Sequence, residues 1–478
     1  MGFYNRLYKR WDSLEKCAFR FTDDISYKDL SRQVSAAAWF LEQNNLSKGD
    51  VLALQLPTCS EFVFLTLAAL SRGIVVLPLN PSYKEEVQYY LDDSKAKLFI
   101  VQSIDIPIKD VPICLLQDVL WQGSMEAAEV HDEDLAFLLY TSGTTGEPKG
   151  ACITHKNVEA TVEALFESWS WESDDRMLHV LPLFHIHGLF VGFFTALWAN
   201  ASVEFQKFEP ALVLKRLESG QITVFMGVPT LYYRLLSFLG DTRVDVSAVR
   251  LFTSGSAPLP VQIHQHFKQT FSKTILERYG MTEVGIVLSN PYIGERRVGS
   301  VGFPIGDTVV EVRSKEENPL CDGEIGELWH KGSSVITEYL NKPQQTALTI
   351  KNNWLKSGDL GYRDQDGYFY IVGRARDLII SGGMNIYPRE IEKLLLDLDG
   401  VEAVAVIGVP DLEWGERVVA CLIGEENFDS EHLKKVLKET MATYKIPKEV
   451  HWMRAFPRNA MGKIQKSKLR KIFSSQGE

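Results

Sequence analysis

Short apolar runs rich in β-branched and aromatic residues recur along most of the chain, and small or hydroxylic residues follow them. The clearest runs are Leu135 to Tyr140, Met177 to Leu181, Ile222 to Val228 and Val249 to Thr253. Amphipathic stretches such as Val261 to Phe271 lie between the runs and have helical spacing. Strands that alternate with helices predict an α/β fold with mostly parallel sheets flanked by helices. The residues that follow the runs should then meet at the carboxyl ends of the strands, where such sheets bind ligands.

The pattern restarts beyond Gly373 as a smaller α+β unit. Two strands and a capped helix are expected there, at Val401 to Val409, at Val418 to Ile423 and after Ser430. We therefore expect a large N-terminal domain over residues 1–373, a small C-terminal domain over residues 377–478 and a boundary at residues 374–377.

Composition excludes several classes of protein. The 478 residues include 51 Lys and Arg against 62 Asp and Glu, a formal charge of −11, which argues against nucleic acid as a partner. The six cysteines are scattered without a Cys-x-x-Cys pair, so neither a disulfide framework nor a zinc site is expected. The N-terminus lacks an apolar export segment and a myristoylation pattern. These features predict a protein of the reducing cytoplasm.

One apolar segment is long enough to cross a membrane. From Leu181 to Trp198 there is no Asp, Glu, Lys or Arg. The segment contains Pro182, His185 and His187, however, and imidazoles are costly in lipid. We expect a strand end, a polar turn and a core helix here, and no stable membrane span.

The strongest local motif follows the first apolar run and reads Tyr140-Thr141-Ser142-Gly143-Thr144-Thr145-Gly146-Glu147-Pro148-Lys149-Gly150. Its glycines leave backbone N–H groups free to reach phosphate oxygens, its hydroxyls can donate to them, and its lysine supplies positive charge. The spacing differs from that of a Walker A loop. The motif predicts a phosphate-binding loop of another type. A flexible surface hairpin is the alternative, and it fits poorly directly after an apolar strand.

Five further motifs follow in order: Gly255-Ser256-Ala257-Pro258, Arg278-Tyr279-Gly280-Met281-Thr282-Glu283, Ser357-Gly358-Asp359, Gly373-Arg374 and Pro457-Arg458-Asn459-Ala460-Met461-Gly462-Lys463. Together with the loop they resemble the signature of the adenylate-forming superfamily, which contains acyl-CoA synthetases, adenylation domains of peptide synthetases, and luciferases. The resemblance spans nearly the whole chain. It implies that the small C-terminal domain is mobile and that the reaction uses ATP, Mg²⁺ and coenzyme A.

The resemblance also implies which residues bind ATP. They are Thr141, Ser142, Gly143, Thr144, Thr145, Gly146, Lys149, Gly255, Ser256, Ala257, Pro258, Tyr279, Gly280, Met281, Asp359 and Arg374. Asp359 would accept from the ribose hydroxyls, and Tyr279 would stack on adenine. Glu283, with Thr144, would hold Mg²⁺, and Thr282 would join Glu283 in the catalytic set. A structural salt bridge is the alternative role for Glu283.

The C-terminal motif carries the predicted catalytic lysine. In the proteins that the chain resembles, the lysine matched by Lys463 bridges the substrate carboxylate and the α-phosphate. The small domain then rotates about a hinge residue, matched here by Arg376, and Gly382-Gly383 leaves room for the pantetheine arm of CoA. A plain turn is the alternative for the glycine pair. The later basic residues Lys466, Lys468, Arg470 and Lys471 are expected to form a solvated helix face.

The substrate prediction depends on three side chains. His185 matches the position that gates the acyl pocket in acyl-CoA synthetases, and no Asp lies near it to bind an α-amino group. No carrier domain follows Lys463, so free CoA is the expected acceptor. The motifs around Arg234 and Arg278 look most like those of malonyl-CoA synthetases. An arginine in an acyl pocket is costly unless it is paired, and the second carboxylate of a short dicarboxylic acid would pair with it. Malonate, or methylmalonate, is therefore the predicted substrate.

Three alternatives remain open. If Arg234 lies on a helix flank and Arg278 in a structural ion pair, a medium- or long-chain fatty acid becomes the substrate. A luciferase-like oxygenase would need a fluorescent heterocyclic substrate and O₂. A catalytically inactive scaffold is disfavoured, because the loop lysine, the acidic residues and the C-terminal lysine of the motifs are all present.

Overall fold

The computed structural model describes residues 1–11, 14–104, 107–142, 148–240, 242–398, 400–424, 433, 437–458 and 464–474. Packing divides the chain into two compact units. The first contains Met1–Val310 and Trp329–Lys356, and the second contains Glu311–Leu328 and Ser357–Glu478. The expected boundary at residues 374–377 falls inside the second unit. Because a division by packing does not locate a hinge, that boundary stays a prediction.

The first unit contains a nine-stranded sheet whose central strands pair in parallel. In spatial order the strands are Phe303–Pro304, Gly285–Ser289, Leu276–Met281, Leu251–Ser254, Val224–Gly227, Arg176–His179, Ser202–Phe205, Cys17–Arg20 and Asp24–Ser26. Three of the predicted strands are therefore direct parallel neighbours. Their carboxyl ends lie along one edge of the sheet, as expected.

A six-stranded sheet completes the first unit, in the spatial order Ile113–Leu115, Leu98–Val101, Val51–Gln55, Val75–Pro78, Leu135–Ser142 and Pro148–Thr154. Its strands pair in parallel, except that the last two form an antiparallel hairpin. The helices of this unit are Phe3–Trp11, Tyr27–Gln43, Ser60–Arg72, Val87–Ser94, His155–Ser168, Thr195–Trp198, Pro210–Glu218, Pro229–Leu239, Val261–Phe271 and Pro343–Thr349, with a 3₁₀ turn at Leu116–Asp118. The predicted α/β class with mostly parallel sheets is confirmed.

Helix His155–Ser168 begins directly after the hairpin and is fixed by a capping box. The Thr154 side chain accepts from the backbone N–H of Asn157, and the Asn157 side chain accepts from the backbone N–H of Thr154. The same Asn157 amide donates to the carbonyls of Ser333 and Val335, at 2.8 and 3.0 Å. The Asn157 side chain therefore connects the segment around Ser333 and Val335 to the end of strand Pro148–Thr154.

The uncharged segment from Leu181 to Trp198 is part of the core. The strand Arg176–His179 ends before it, His187–Phe194 is π-helical, and Thr195–Trp198 continues as α-helix. His179 fixes this geometry, because its Nδ1 accepts from the backbone N–H of Leu181 and its Nε2 contacts the carbonyl of Gly188 at 2.8 Å. No helix in the described part of the chain combines the length and the apolar composition that crossing a membrane requires.

The second unit contains a sheet with its strands in the order Met384–Ile386, Ile379–Ser381, Gly415–Gly424 and Val401–Asp411, with Glu449–Trp452 parallel to Gly415–Gly424. Alternate residues of the long strands pack into two separate cores, one with helix Pro388–Leu396 and one with helix Lys466–Ser474. The remaining strands of the chain are Val309–Arg313, Gly326–Lys331, Ile350–Lys351, Trp354–Arg363 and Phe369–Arg374, of which Ile350–Lys351 belongs to the first unit and Phe369–Arg374 to the second. The 3₁₀ turns Ala375–Asp377 and Thr443–Lys445 also belong to the second unit. Ser430 lies outside the described residues.

The basic helix at the C-terminus corrects one expectation. Lys466 forms an ion pair with Glu392 at 2.6 Å, and Arg470 forms one with Asp377 at 2.7 Å. Both cations are partly buried, whereas Lys468 and Lys471 are exposed as predicted. The i and i+4 positions share one helix face, and here that face meets acidic residues distant in sequence.

Candidate active site

The hairpin around the predicted phosphate loop places Lys149 directly opposite Thr141. Gly143, Thr144, Thr145 and Gly146 lie outside the described residues, as does the side chain of Ser142. The ammonium of Lys149 is buried and lies 5.3 Å from the centre of the Tyr339 ring. Burial lowers the pKa of Lys149, and the nearby Glu283 carboxylate opposes that shift. The strand pair that flanks the loop therefore carries one partly desolvated ammonium group, that of Lys149.

Glu283 is buried beside this lysine. Its Oε1 accepts from the hydroxyl of Tyr339 at 3.0 Å and from the hydroxyl of Thr141 at 3.3 Å. Its backbone carbonyl accepts from the N–H of Ile336 at 3.0 Å. Burial, followed by the charge of Glu283, raises the pKa of Tyr339, so the phenol stays protonated and donates. Glu283 is held by hydroxyls, and no arginine or lysine salt bridge to it occurs among the described residues.

This donor set fits Mg²⁺. Magnesium takes hard oxygen ligands, usually one or two carboxylates together with substrate phosphate oxygens. Both hydroxyls bind Oε1 of Glu283, and no hydrogen bond within the described residues engages Oε2. No group of three or more His, Cys, Asp or Glu side chains in the described ranges could hold a metal alone. Glu283 would therefore share the ion with a phosphate ligand, while Thr144 lies outside the described residues.

Arg278, within strand Leu276–Met281, forms a second cluster with Gly255, Ser256 and His187. Its side chain is buried, and its Nε and Nη2 have no hydrogen-bond partner among the described residues. Burial lowers the pKa of Arg278 to about 9, so the guanidinium still carries its charge at neutral pH. The structural ion pair considered as an alternative role is absent in the described part of the chain.

Gly255 is required by this arrangement, since a Cβ there would lie 2.5 Å from Cζ of Arg278. Ser256 follows with a φ of 67°, a strained value for a residue other than glycine. Its hydroxyl is 3.2 Å from Nδ1 of His187, whose buried Nε2 has no partner in the described ranges. Burial, and then the charge of Arg278, hold the pKa of His187 well below its usual range, so this imidazole is neutral.

The predicted gate residue His185 lies two positions before His187. Together with Phe184, Thr282, Asn80 and Tyr83 it lines a cavity of about 30 Å³. Such a volume has room for one or two waters. The cavity beside the gate is therefore small.

Arg234 is the other predicted substrate arginine. It is exposed on helix Pro229–Leu239, and its guanidinium lies 5.1 Å from the centre of the Phe208 ring. Tyr232 on the same helix points inward and donates to the carbonyl of Thr253 at 2.7 Å. Since two residues rotate a helix by about 200°, Arg234 faces the opposite side. The substrate role of Arg234 stays a prediction.

The predicted adenine-binding residues occupy two adjacent strand ends. Ala257 and Pro258 follow strand Leu251–Ser254, and Tyr279, Gly280 and Met281 end strand Leu276–Met281. Glu277 supports the turn by accepting from the N–H of Leu259 at 3.2 Å. At Gly280 a Cβ would lie 2.0 Å from the carbonyl oxygen of Gly285, so glycine is required by this close approach. The Tyr279 ring packs against the buried His330 with centres 5.7 Å apart.

The second unit carries the predicted ribose pair. Asp359 lies opposite Arg374 in the antiparallel pair of strands Trp354–Arg363 and Phe369–Arg374. Nε of Arg374 is 2.6 Å from Oδ1 of Asp359. The Ser357 hydroxyl accepts from the backbone N–H of Asp359 at 2.9 Å. The two residues are therefore brought together as expected.

The hinge and the glycine pair lie further along the second unit. Arg376 is in the 3₁₀ turn Ala375–Asp377. Gly382 and Gly383 have φ values of 56° and 77° and connect strands Ile379–Ser381 and Met384–Ile386, so they do form a tight turn. A Cβ on Gly383 would meet nothing within 4 Å, which leaves open space above it. Lys463 lies outside the described residues.

Comparison with protein families decides the assignment. A sequence model of the AMP-binding enzyme matches residues 12–340, and a model of the AMP-binding enzyme C-terminal domain matches residues 390–463. The chain belongs to the AMP-binding enzyme family. It is an adenylate-forming acyl-CoA ligase, and its small-molecule substrates include ATP and CoA.

Two relatives of this AMP-binding enzyme are named for different acids. The chain is 34% identical to malonate–CoA ligase ACSF3, mitochondrial, of Bos taurus, over 93% of this chain and 86% of that protein. It is 32% identical to long-chain-fatty-acid–CoA ligase of Bacillus subtilis (strain 168), over 93% of this chain and 89% of that protein. The crystal structure of ATP-bound MatB from Rhodopseudomonas palustris matches with a TM-score of 0.94 at 34% identity and covers 100% of both chains.

Two residues of this AMP-binding enzyme's site escaped the sequence analysis. His187 was considered only as a core residue, yet it contacts Ser256 and lies near Arg278. Tyr339 belongs to none of the motifs, and it contacts both Lys149 and Glu283. No local signal identifies it, because its position depends on an antiparallel bridge with Ala151, far earlier in the chain.

Proposed function

We propose that the enzyme converts malonate, or methylmalonate, to its CoA thioester and releases AMP and pyrophosphate. The observation that carries the proposal is the Arg278 guanidinium, buried with Nε and Nη2 unpartnered within the described residues. These two groups share one edge of the guanidinium, and that edge matches the two oxygens of a carboxylate. A buried, uncompensated charge is costly, so a substrate that brings a second carboxylate is favoured over one that does not.

The names of similar proteins give further support to malonate and also leave a second candidate. The Bos taurus ligase, which is named for malonate, is among the similar chains. A fatty acyl-CoA ligase remains the second candidate, because the Bacillus subtilis relative is named for long-chain fatty acids.

In the proposed first step a carboxylate oxygen of the acid attacks the α-phosphorus of ATP, and pyrophosphate leaves. The substrate supplies the nucleophile, so the protein's part is alignment and stabilisation of charge. Lys149 would neutralise phosphate charge, and Lys463 would bridge the carboxylate and the α-phosphate. A bound Mg²⁺ supplies further positive charge to the phosphates, and Glu283 would hold it.

In the proposed second step the thiol of CoA attacks the acyl carbon, and AMP leaves. The small C-terminal domain would rotate about Arg376 to remove Lys463 and to bring Gly382-Gly383 to the site. The open space above Gly383 supports this role, because a pantetheine arm needs close approach to backbone.

The direct test is CoA-dependent AMP release with malonate, methylmalonate, acetate and octanoate. We expect kcat/KM for malonate to exceed the value for acetate or octanoate by about a hundredfold, the effect of leaving a buried charge unpaired. Octanoate as the best substrate would establish the fatty acyl alternative instead.

A second test separates the two steps. Lys463→Ala should lower adenylate formation by about a thousandfold, because it removes transition-state stabilisation, while thioester formation from synthetic malonyl-AMP stays nearly intact. Pyrophosphate–ATP exchange measures the first step, and CoA consumption with the synthetic adenylate measures the second. Equal loss in both steps would contradict the role proposed for Lys463.

A further inference from the structure

The side chain of Tyr339 joins the two charged residues of the phosphate side. Its ring centre lies 5.3 Å from the ammonium of Lys149, within the range of a cation–π contact. Its hydroxyl donates to Oε1 of Glu283 at 3.0 Å. The residue is buried, so both contacts are shielded from water. One side chain therefore contacts the cation and the anion on which the proposed phosphate chemistry depends.

The partner of this hydroxyl sets Tyr339 apart from two other buried tyrosines. The hydroxyl of Tyr27 donates to the backbone carbonyl of Ala201, and that of Tyr232 donates to the carbonyl of Thr253. Such bonds satisfy a buried polar group and need no further explanation. Tyr339 instead donates to a carboxylate, a bond about twice as strong as a neutral one.

The geometry at Glu283 shows what this bond can do. The hydroxyls of Tyr339 and Thr141 both bind Oε1, which fixes the plane of the carboxylate. No hydrogen bond within the described ranges engages Oε2, so this oxygen is available to an oxygen-seeking cation. Without the Tyr339 hydroxyl, Oε1 would keep only the longer bond from Thr141, and the carboxylate could rotate.

The backbone around Tyr339 is held where both contacts form. Ala151 pairs with Tyr339 in an antiparallel bridge, and the N–H of Leu340 donates to the carbonyl of Gly150 at 2.8 Å. The N–H of Tyr339 donates to the Thr346 hydroxyl at 3.0 Å. The strand that carries Lys149 is thus the strand that positions Tyr339.

We propose that Tyr339 is a positioning residue for adenylation, whose hydroxyl orients Glu283 toward Mg²⁺ and whose ring holds the Lys149 ammonium toward the phosphates. This proposal rests on the proposed function of the same site. It assigns two separable roles to one side chain. The hydroxyl governs the magnesium-dependent part of ATP binding, and the ring governs the part that needs no metal.

The test is ATP affinity, measured by calorimetry with Mg²⁺ and with EDTA, for the wild type, Tyr339→Phe and Tyr339→Leu. Tyr339→Phe should reduce the gain in affinity from Mg²⁺ by about tenfold and leave the affinity in EDTA within about twofold, since the hydroxyl's bond to the charged Glu283 is lost while the ring stays. Tyr339→Leu should also weaken binding in EDTA by about fivefold, because it removes the cation–π contact. Tyr27→Phe, which loses a buried hydroxyl elsewhere, should match the wild type in both conditions.

Two results would overturn the proposal. One is an unchanged magnesium gain in Tyr339→Phe. The other is an equal weakening of Tyr339→Phe with and without Mg²⁺, the result of a packing role alone. A wild type that shows no magnesium-dependent ATP binding would refute the proposed function, and this proposal with it. Normal wild-type binding with unaffected variants would refute the role of Tyr339 alone.

Discussion

The Glu283 cluster and the Arg278 cluster are both buried, yet they differ in how completely their charges are compensated. Glu283 accepts two hydroxyl hydrogen bonds and lies near the ammonium of Lys149. Arg278 has a neutral imidazole nearby and no bonded partner at Nε or Nη2 among the described residues. The first cluster is assembled before any ligand binds. The second leaves a desolvated charge in place.

This difference separates two tasks of a ligase. Every acid needs the same phosphate chemistry, so the groups that serve ATP can be positioned in advance. Selecting one acid requires a group whose burial is costly until the right ligand binds. A buried guanidinium is such a group, because only a ligand that brings an anion offsets its desolvation. The comparison therefore predicts that changes at Glu283 affect all acids equally, whereas changes at Arg278 affect dicarboxylates selectively.

The largest expected effect follows from Glu283→Gln, which keeps the shape and the acceptor oxygen but removes the charge. We expect kcat/KM to fall by about a hundredfold for malonate and for butyrate alike, because stabilisation of phosphate charge is lost in both cases. AMP release with each acid measures it. Glu338→Gln, at an exposed carboxylate next to Tyr339 in sequence, is the control and should retain activity. A loss confined to malonate would contradict the expectation that changes at Glu283 affect all acids equally.

A smaller effect is expected from Gly255→Ala. The new methyl group would lie 2.5 Å from Cζ of Arg278, so the guanidinium must move. Displacing a group that positions the substrate lowers kcat/KM by roughly tenfold or more. We expect this loss for malonate and little change for butyrate. Steady-state kinetics with both acids measures the ratio. Equal losses would show that Gly255 serves ATP binding alone.

The smallest effect concerns pH and His187. Burial, and then the Arg278 charge, lower the pKa of His187 in the folded protein, so below about pH 6.5 the unfolded chain takes up a proton that the folded chain does not. The free energy of unfolding therefore decreases as the pH is lowered below about 6.5, by about 2 kcal/mol at pH 5 for this one group. In His187→Asn the midpoint of thermal unfolding should drop less between pH 7 and pH 5 than in the wild type, by about 2 °C.

The exposed His266 provides the control for that measurement. His266→Asn, which changes an exposed side chain outside the Arg278 cluster, should show the same drop as the wild type. An identical drop in His187→Asn and the wild type would show that His187 does not contribute to the acid sensitivity of the Arg278 cluster.

Sequence reasoning found the parallel α/β architecture because short apolar runs and their following turn residues are local signals. The strand ends at His179, Gly227 and Ser254 could be predicted from such runs alone. Motif spacing, however, does not state which side of a helix a residue occupies. Arg234, which its motif groups with Arg278, is exposed outside the buried stripe of its helix at Tyr232 and Leu235, and its role stays a prediction.

Local sequence patterns did not predict the contacts between segments that are distant in sequence. Tyr339 meets Glu283 only because its segment pairs with the strand that carries Lys149. Lys466 and Arg470 looked like a solvated basic face, and their acidic partners lie in other elements of the same unit. In each case the missing information was the identity of a partner, which depends on tertiary pairing.

The most direct test of the account is acid selectivity in pyrophosphate–ATP exchange, as the ratio of kcat/KM for malonate to that for butyrate. Arg278→Gln should lower this ratio by about a hundredfold, because a neutral amide leaves no buried charge for the second carboxylate to pair with. Arg234→Gln, which changes an exposed arginine, should leave it within about twofold of the wild type. An unchanged ratio in Arg278→Gln, or an equal fall in both variants, would contradict the claim that one buried guanidinium selects the acid.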